Sequence, residues 1–316
     1  MKKAFEKLNL RDYGVLLGFL ALCIAISIAT PSFLGKQNIL NLLRQSSIIG
    51  IISAGMTFVI ISGNFDISVG AVAALAGAIT MKFATGGTNL LVSMFLGIAI
   101  CAVIGLINGI VVAKINVPSL IATMAMVTIV RGLLLMLTGG YPITENIPIL
   151  DYIGNGYLFN IPIPVVIFFI VVLVSFIVLN KTKFGRYVYS VGGNQEASKL
   201  NGINVDSHKI KVFIINAILA GIAGIVLTGR LGTATAIAGE GYDMDAIASV
   251  VIGGTSVAGG SGSVLKTVIG VLLMSVINNS FNLLGIDVYF QYIFKGLIIL
   301  AAVGFDSYSK KKLASR

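Results

Sequence analysis

Tryptophan is absent from this sequence, histidine occurs once, at His208, and cysteine twice, at Cys23 and Cys101. One histidine excludes a multi-histidine metal site, and two cysteines set inside apolar runs read as small buried hydrophobes rather than a disulfide or metal pair. Charge is scarce as well: Asp, Glu, Lys and Arg make up 11% of the chain, against about 25% in an ordinary soluble domain. The sequence has no Gly-x-x-x-x-Gly-Lys-Ser/Thr segment to cradle a nucleotide. It also lacks the chained intramembrane carboxylates of a proton relay and any recognisable nucleophile, base and acid set.

What is present is grease. The chain is 57% hydrophobic with a mean hydropathy of +0.99, the composition of an all-α polytopic membrane protein. A bilayer crossing takes about 20 helical residues, and the nearly uncharged runs mark ten spans. They are Tyr13–Thr30, Ser46–Ser62, Ile67–Met81, Leu90–Ala113, Val117–Thr138, Ile161–Asn180, Lys211–Gly229, Ala246–Ala258, Val264–Leu284 and Val288–Phe305. The first ends in Thr30-Pro31-Ser32-Phe33 without a small-x-small cleavage site, so it is expected as an uncleaved span. Ile67–Met81 and Ala246–Ala258 are short, as in helices broken within the membrane and sheltered by neighbours.

The net charge of +10 does not point to nucleic acid here, because the basic residues sit in loops and tails where they set orientation and meet lipid head groups. Placing both termini in the cytoplasm puts Lys2, Lys3, Lys7, Arg11, Lys114, the central-loop cations, Lys266, Lys310, Lys311, Lys312 and Arg316 inside. Only Lys36, Arg44, Lys82 and Arg230 then fall outside, which satisfies the positive-inside bias. Residues 1–316 read as one membrane domain, with 181–211 as a cytoplasmic loop within it.

That loop is the longest polar run. Its centre reads Gly193-Asn194-Gln195-Glu196-Ala197-Ser198-Lys199-Leu200-Asn201-Gly202, a short helix with Asn194 as N-cap and Gly202 just past its end. Two turns of helix are marginal alone, so this one must rest on something. On the outer side, Gly35–Gln45 reads as a separate amphipathic surface helix, and Gly139–Asn160 as a long loop, either the contact for an extracytoplasmic partner or simply solvated.

Polar residues inside spans are costly and therefore mark candidate path or gate positions. Asn64, Phe65, Asp66 and Ser68 join the second and third spans, where Asp66 or Ser68 could equally cap the next helix. Arg131 and Lys295 sit in spans of their own, each expected to snorkel or to pair with a carboxylate such as Asp287 or Glu145. Asn278 and Asn282 share a helical face beside Asn279, suited to hydroxyl-rich cargo or to interhelical hydrogen bonds. Gly253, Gly254, Gly259, Gly260 and Gly262 form a glycine-rich stretch read as a tight re-entrant turn. Asp66 and Asp245 precede short spans on opposite faces, a hint of inverted repeats. Gly105-x-x-x-Gly109 and Gly221-x-x-Gly224 permit close helix packing.

Taken in order, several longer motifs resemble a known family, the ribose-type permease subunits of ABC sugar importers. They are Gly55-Met56-Thr57, Asp66-Ile67-Ser68-Val69-Gly70, Ile121-Ala122-Thr123 to Arg131-Gly132, Gly185-Arg186-Tyr187 to Gly192-Gly193-Asn194, and Gly202-Ile203-Asn204-Val205. GEGYDMDAIASVVIGGTSVAGGSG over Gly239 to Gly262, then Asn278-Asn279 and Asn282-Leu283-Leu284-Gly285, complete the series. Many relatives carry Gly-Gly before the hydrophobic residue and Asp, where this chain has Gly63-Asn64-Phe65-Asp66. The resemblance therefore bears on monosaccharides and polyols as a class.

The resemblance implies a homodimer of ten-helix subunits in the bacterial inner membrane, with the pathway at or near the dimer interface and Thr123 beside it. It implies a pair of cytoplasmic ATPase subunits that hold ATP and Mg²⁺, with no cofactor in this chain, and an extracytoplasmic sugar-binding protein. The family's coupling element falls on Asn194 to Gly202. Rival expectations are a nucleoside or branched-chain amino acid ABC permease, and an ion-coupled secondary sugar transporter using Asp66 or Arg131. A membrane enzyme on lipid-linked sugar would need paired carboxylates or a metal set that the sequence does not offer.

Overall fold

The computed structural model describes residues 10–314, with side chains over 15–304, and the charges assigned to the two tails lie outside those described side chains. Within this range there are thirteen α-helices and four two-residue β pieces. Two helices are buried on every side. Residues Ser46 to Ser62 of helix α2 (Lys36–Ile61) and its cap, and Ser68 to Met81 at the start of α3 (Val69–Thr85), are all buried. A helix apolar all round belongs in the centre of a bundle, and these two sit there with α10 (Val205–Leu231) packed on both.

Glycine sets how closely α10 approaches its neighbours. A Cβ on Gly224 would overlap the Ala73 carbonyl of α3, and one on Gly109 of α4 (Leu90–Ala113) would come within 2.7 Å of the Ile210 Cα. The small-residue pairs read from the sequence are thus packing surfaces. Helix α5 (Ser119–Thr138) lies against α3, and α7 (Ile163–Lys181) against α2. Helix α1 (Leu10–Ala29) rests on α12 (Val264–Leu283), and α13 (Val288–Ala314) on the short α11 (Tyr242–Ile252).

Six helices, α2, α4, α5, α7, α10 and α12, are long and apolar enough to cross a membrane. Shorter apolar stretches occupy Val15–Ala29, Val69–Thr85 and Val288–Gly304. Two expectations are corrected. Gly35–Gln45 is not a separate surface helix: Lys36–Ile61 is one helix of 26 residues. No glycine or proline interrupts its first turns, and Arg44 is buried, donating to the Asn155 carbonyl at 3.1 Å with its guanidinium 4.8 Å from the Tyr157 ring centroid.

Nor is Gly139–Asn160 a bare loop. It folds into β1 (Ile143–Thr144), α6 (Pro148–Asn155) and the start of a hairpin of β2 (Tyr157–Leu158) with β3 (Ile161–Pro162). β1 pairs antiparallel with β4 (Thr233–Ala234), matching Ile143 to Ala234. Asn155 Nδ2 donates to the Gly229 and Arg230 carbonyls at 3.3 and 3.2 Å, satisfying the end of α10.

Candidate functional site

The central polar run folds into two short helices and the first turns of α10. Thr182 caps α8 (Lys183–Gly193) by accepting from the Gly185 amide at 3.2 Å. Asn194 is extended, with φ −158° and ψ 107°, and its Oδ1 accepts from the Ala197 amide at 2.9 Å to start α9 (Gln195–Leu200). Gly202 follows the end with φ +79°, its amide bonded to the Lys199 carbonyl at 3.0 Å and the Ile203 amide to the Ser198 carbonyl at 3.1 Å. That left-handed position suits glycine because it has no Cβ to clash.

What α9 rests on is α8 and α10. Ser198 is buried and shares a 2.8 Å hydroxyl bond with Ser190, and Lys209 donates to Gln195 Oε1 at 2.9 Å. Gln195, Glu196, Ala197, Lys199 and Leu200 face outward, with Leu200 88% exposed. A cavity of about 330 Å³ lies beside it, lined by Lys199, Gly202, Ile203 and Asp206 among others.

The far end of α8 meets two other breaks. The Gly260 amide donates to the Ile61 carbonyl at 2.8 Å. A Cβ on Gly192 would overlap that same carbonyl, and one on Gly260 would stand 2.7 Å from the Gly193 Cα. One on Gly259 would stand 2.9 Å from the Gly63 Cα. Three backbones, from the ends of α2 and α8 and from the turn between α11 and α12, therefore touch directly. In that turn Gly254, Gly259 and Gly260 have φ of +87°, +84° and +73°, while Gly253 and Gly262 pack against the Lys266 carbonyl and Thr255. The Tyr189 hydroxyl donates to the Gly262 carbonyl at 3.0 Å, and burial pushes its pKa above the usual tyrosine range, keeping it a donor.

Next to this junction Asp66, 1% exposed, anchors a polar network. Its Oδ1 accepts from the Ser68 amide at 2.9 Å and the Ser68 hydroxyl at 2.5 Å, and its Oδ2 from Asn216 Nδ2 at 2.9 Å. Asn108 Nδ2 donates to Ser68 Oγ at 3.1 Å. Thr123 Oγ1 accepts from the Ile67 amide at 3.2 Å and Ser119 Oγ from the Phe65 amide at 3.0 Å. Asn64 is buried and donates to the Ser62 carbonyl and hydroxyl, each at 3.1 Å. A broken, buried backbone is tolerated when freed amides find side-chain acceptors, as those of Phe65, Ile67 and Ser68 do here.

A second cluster gathers at α11. Lys295 Nζ lies 3.0 Å from Asp245 Oδ1 and donates to Oδ2 at 3.1 Å, where Asn278 Nδ2 also approaches to 3.4 Å. Lys295 thus pairs with a carboxylate, but with Asp245 rather than Asp287 or Glu145. Among the described residues Arg131 makes no ion pair; it donates through Nη1 to the carbonyls of Ala236 and Ala238, backbone acceptors that need a donor. Asn279 exchanges amide bonds with Asn38 of α2 at 2.8 and 3.0 Å, and Asn282 accepts from Gln291 at 3.2 Å.

The family model described as "Branched-chain amino acid transport system / permease component" matches residues 38–303. The chain belongs to this permease family. It is 43% identical over 303 residues to the ribose import permease protein of Haemophilus influenzae, covering 93% of this chain and 94% of that protein. It is 40% identical to the ribose import permease protein of Escherichia coli, with 97% of each covered. With the xylose transport system permease protein of Haemophilus influenzae it shares 34% identity, covering 98% of this chain and 99% of that one. No solved structure matches it.

Sequence reasoning about the permease missed the partners that complete both clusters. Asn216 and Asn108 lie mid-helix in strongly apolar stretches and, like Asp66, are almost fully buried, at 0% and 2% exposure. Their signal was present, because an asparagine in such a stretch needs a partner. Gly55 was a further sign: a Cβ there would approach Asn216 Oδ1 to 2.5 Å.

Proposed function

We propose that this chain is the membrane subunit of an ATP-driven importer that moves a monosaccharide, a ribose-like pentose, a hexose or a polyol, across the bacterial inner membrane. The observation that carries this is α9, an independently capped helix that presents Glu196, Lys199 and the exposed Leu200 to the outside. A bare leucine on a polar tip is the anchor expected where a helix seats in a partner's groove. The chain has no nucleotide-cradling motif of its own, so the partner is a cytoplasmic ATPase carrying ATP and Mg²⁺. The names of the relatives, ribose and xylose permeases, support a sugar over an amino acid or nucleoside.

In this reading ten spans place both termini in the cytoplasm: the six long helices, the three shorter apolar ones and the short α11. Two copies of the chain enclose the route, and an extracytoplasmic binding protein delivers the sugar. Residues Gly193 to Gly202 receive the ATPase movement. The network of Asn64, Phe65, Asp66, Ser68 and Thr123, and the groups Arg131, Asn278, Asn279 and Asn282, hold the gate. Gly192 and the turn at Gly259-Gly260 carry movement from α8 to the Asn64–Ser68 network, because their backbones touch Ile61 and Gly63 just before it.

Co-purification from the native membrane, then thermal shifts of the accompanying binding protein against a panel of sugars, nucleosides and amino acids, tests the reading. A monosaccharide or polyol is expected to raise the binding protein's melting temperature. A response to branched-chain amino acids or nucleosides alone would replace the cargo assignment. For the coupling helix, Glu196→Lys and Gly202→Pro should leave the permease folded while ATP hydrolysis no longer drives uptake. Proline fixes φ near −65°, which Gly202 at +79° cannot accept. Normal uptake in both variants would remove α9 from this role.

A further inference from the structure

Most charged groups deep in the bundle are enclosed. Asp66 and Asp245 are 1% and 3% exposed, and Arg131 is held by backbone carbonyls. Glu240 is different. It is exposed, and its neighbour Gly239 is pinned deep in the fold. A Cβ on Gly239 would stand 2.6 Å from the Gly70 carbonyl oxygen, and one on Gly70 would overlap the Gly239 carbonyl. Gly70 precedes the Thr85 end of α3 by fifteen residues, about 22 Å at 1.5 Å per residue. Against a hydrocarbon layer of about 30 Å, Glu240 therefore lies well inside. Arg131, seven residues and so about 10 Å from the Thr138 end of α5, holds the Ala236–Ala238 stretch inside the layer as well.

The surface around Glu240 is also open. Ile237 is 72% and Met244 48% exposed, and the charges of Glu240 and Asp243 act on Arg131. The outward face of α4 is a contrast at similar depth: Val103, Leu106 and Ile107 are 54%, 39% and 43% exposed and wholly apolar. That is a lipid-facing composition. A carboxylate turned to lipid at this depth is strongly disfavoured, and those that occur face a water-filled cavity or the bundle interior. Non-helical backbone at membrane depth carries the same requirement.

We propose that the face of residues 236–244 borders water rather than lipid, and that Glu240 is a wall residue of the sugar route, accepting hydrogen bonds from cargo hydroxyls. The water-lined face stands on the geometry alone, while the sugar contact rests on the importer reading above. Glu240 accepts from a hydroxyl without needing a fixed pose, which suits a passage that must not hold its cargo.

The test has two arms. In a Cys23→Ser, Cys101→Ala background, Glu240→Cys and Val103→Cys permeases are reacted with a membrane-impermeant charged maleimide in membrane vesicles of both orientations. A thiol reacts as its thiolate, which forms in water and not in lipid. Position 240 should label at least tenfold faster than position 103 in one orientation; equal, slow labelling in both would overturn the water-lined face. In the second arm, Glu240→Leu should lower uptake at saturating sugar at least fivefold, with Glu240→Gln recovering most of it, in complexes that still co-purify with the ATPase. Unchanged uptake by the leucine variant would overturn the sugar contact. Absence of uptake by the unsubstituted permease would overturn the importer reading and leave the labelling result standing.

Discussion

At Asp66 a carboxylate with 1% of its surface exposed is matched by the Ser68 amide and hydroxyl and by the Asn216 amide. Asp66→Leu strands those donors, and each buried unpaired group costs about 1–3 kcal/mol. Asp66→Asn is milder, since Asn216 Oδ1 has no partner and the amide can turn to accept from the new side chain. Because the chain has no tryptophan, the check is the fraction left monodisperse after heating in detergent. The expected order of midpoints is unsubstituted, then Asp66→Asn, then Asp66→Leu. Lys295→Met should destabilise more than Asp245→Asn with Lys295→Met together, because the single change leaves Asp245 buried without its cation. Lys295 keeps 22% of its side chain exposed, so the loss falls below the roughly 3–5 kcal/mol of a fully buried pair.

Among elements, the junction of α2, α8 and the glycine turn depends on the absence of side chains. Gly192→Ala forces the Ile61 carbonyl and the Gly260 amide apart and so loosens the seat of α9. Proteoliposomes containing the full complex should show uptake reduced at least tenfold while ATP hydrolysis persists, whereas Gly132→Ala, with open space around its Cβ, should transport normally. Equal uptake by both variants would remove the junction from the coupling route.

How much could be read beforehand follows the range of the interactions. The Asn194 cap and Gly202 were legible because capping involves neighbours three or four residues away. The continuity of α2 was not, because Arg44 looks like a surface residue until Asn155 and Tyr157, more than a hundred residues on, are seen to enclose it. The same holds for Lys295, whose carboxylate partner Asp245 lies 50 residues away in sequence. Folding of Gly139–Asn160 escaped notice because its partners, Gly229, Arg230 and Ala234, come from α10 and the strand after it.

For the whole molecule, an assembly that takes its energy from another chain must lose transport when that chain is removed. The most direct measurement is sugar uptake into proteoliposomes containing the permease, its co-purified ATPase and the binding protein. Uptake should require internal or external ATP on the ATPase side, stop when the ATPase is omitted, and be indifferent to an imposed proton or sodium gradient. Uptake driven by such a gradient in the permease alone would contradict the account.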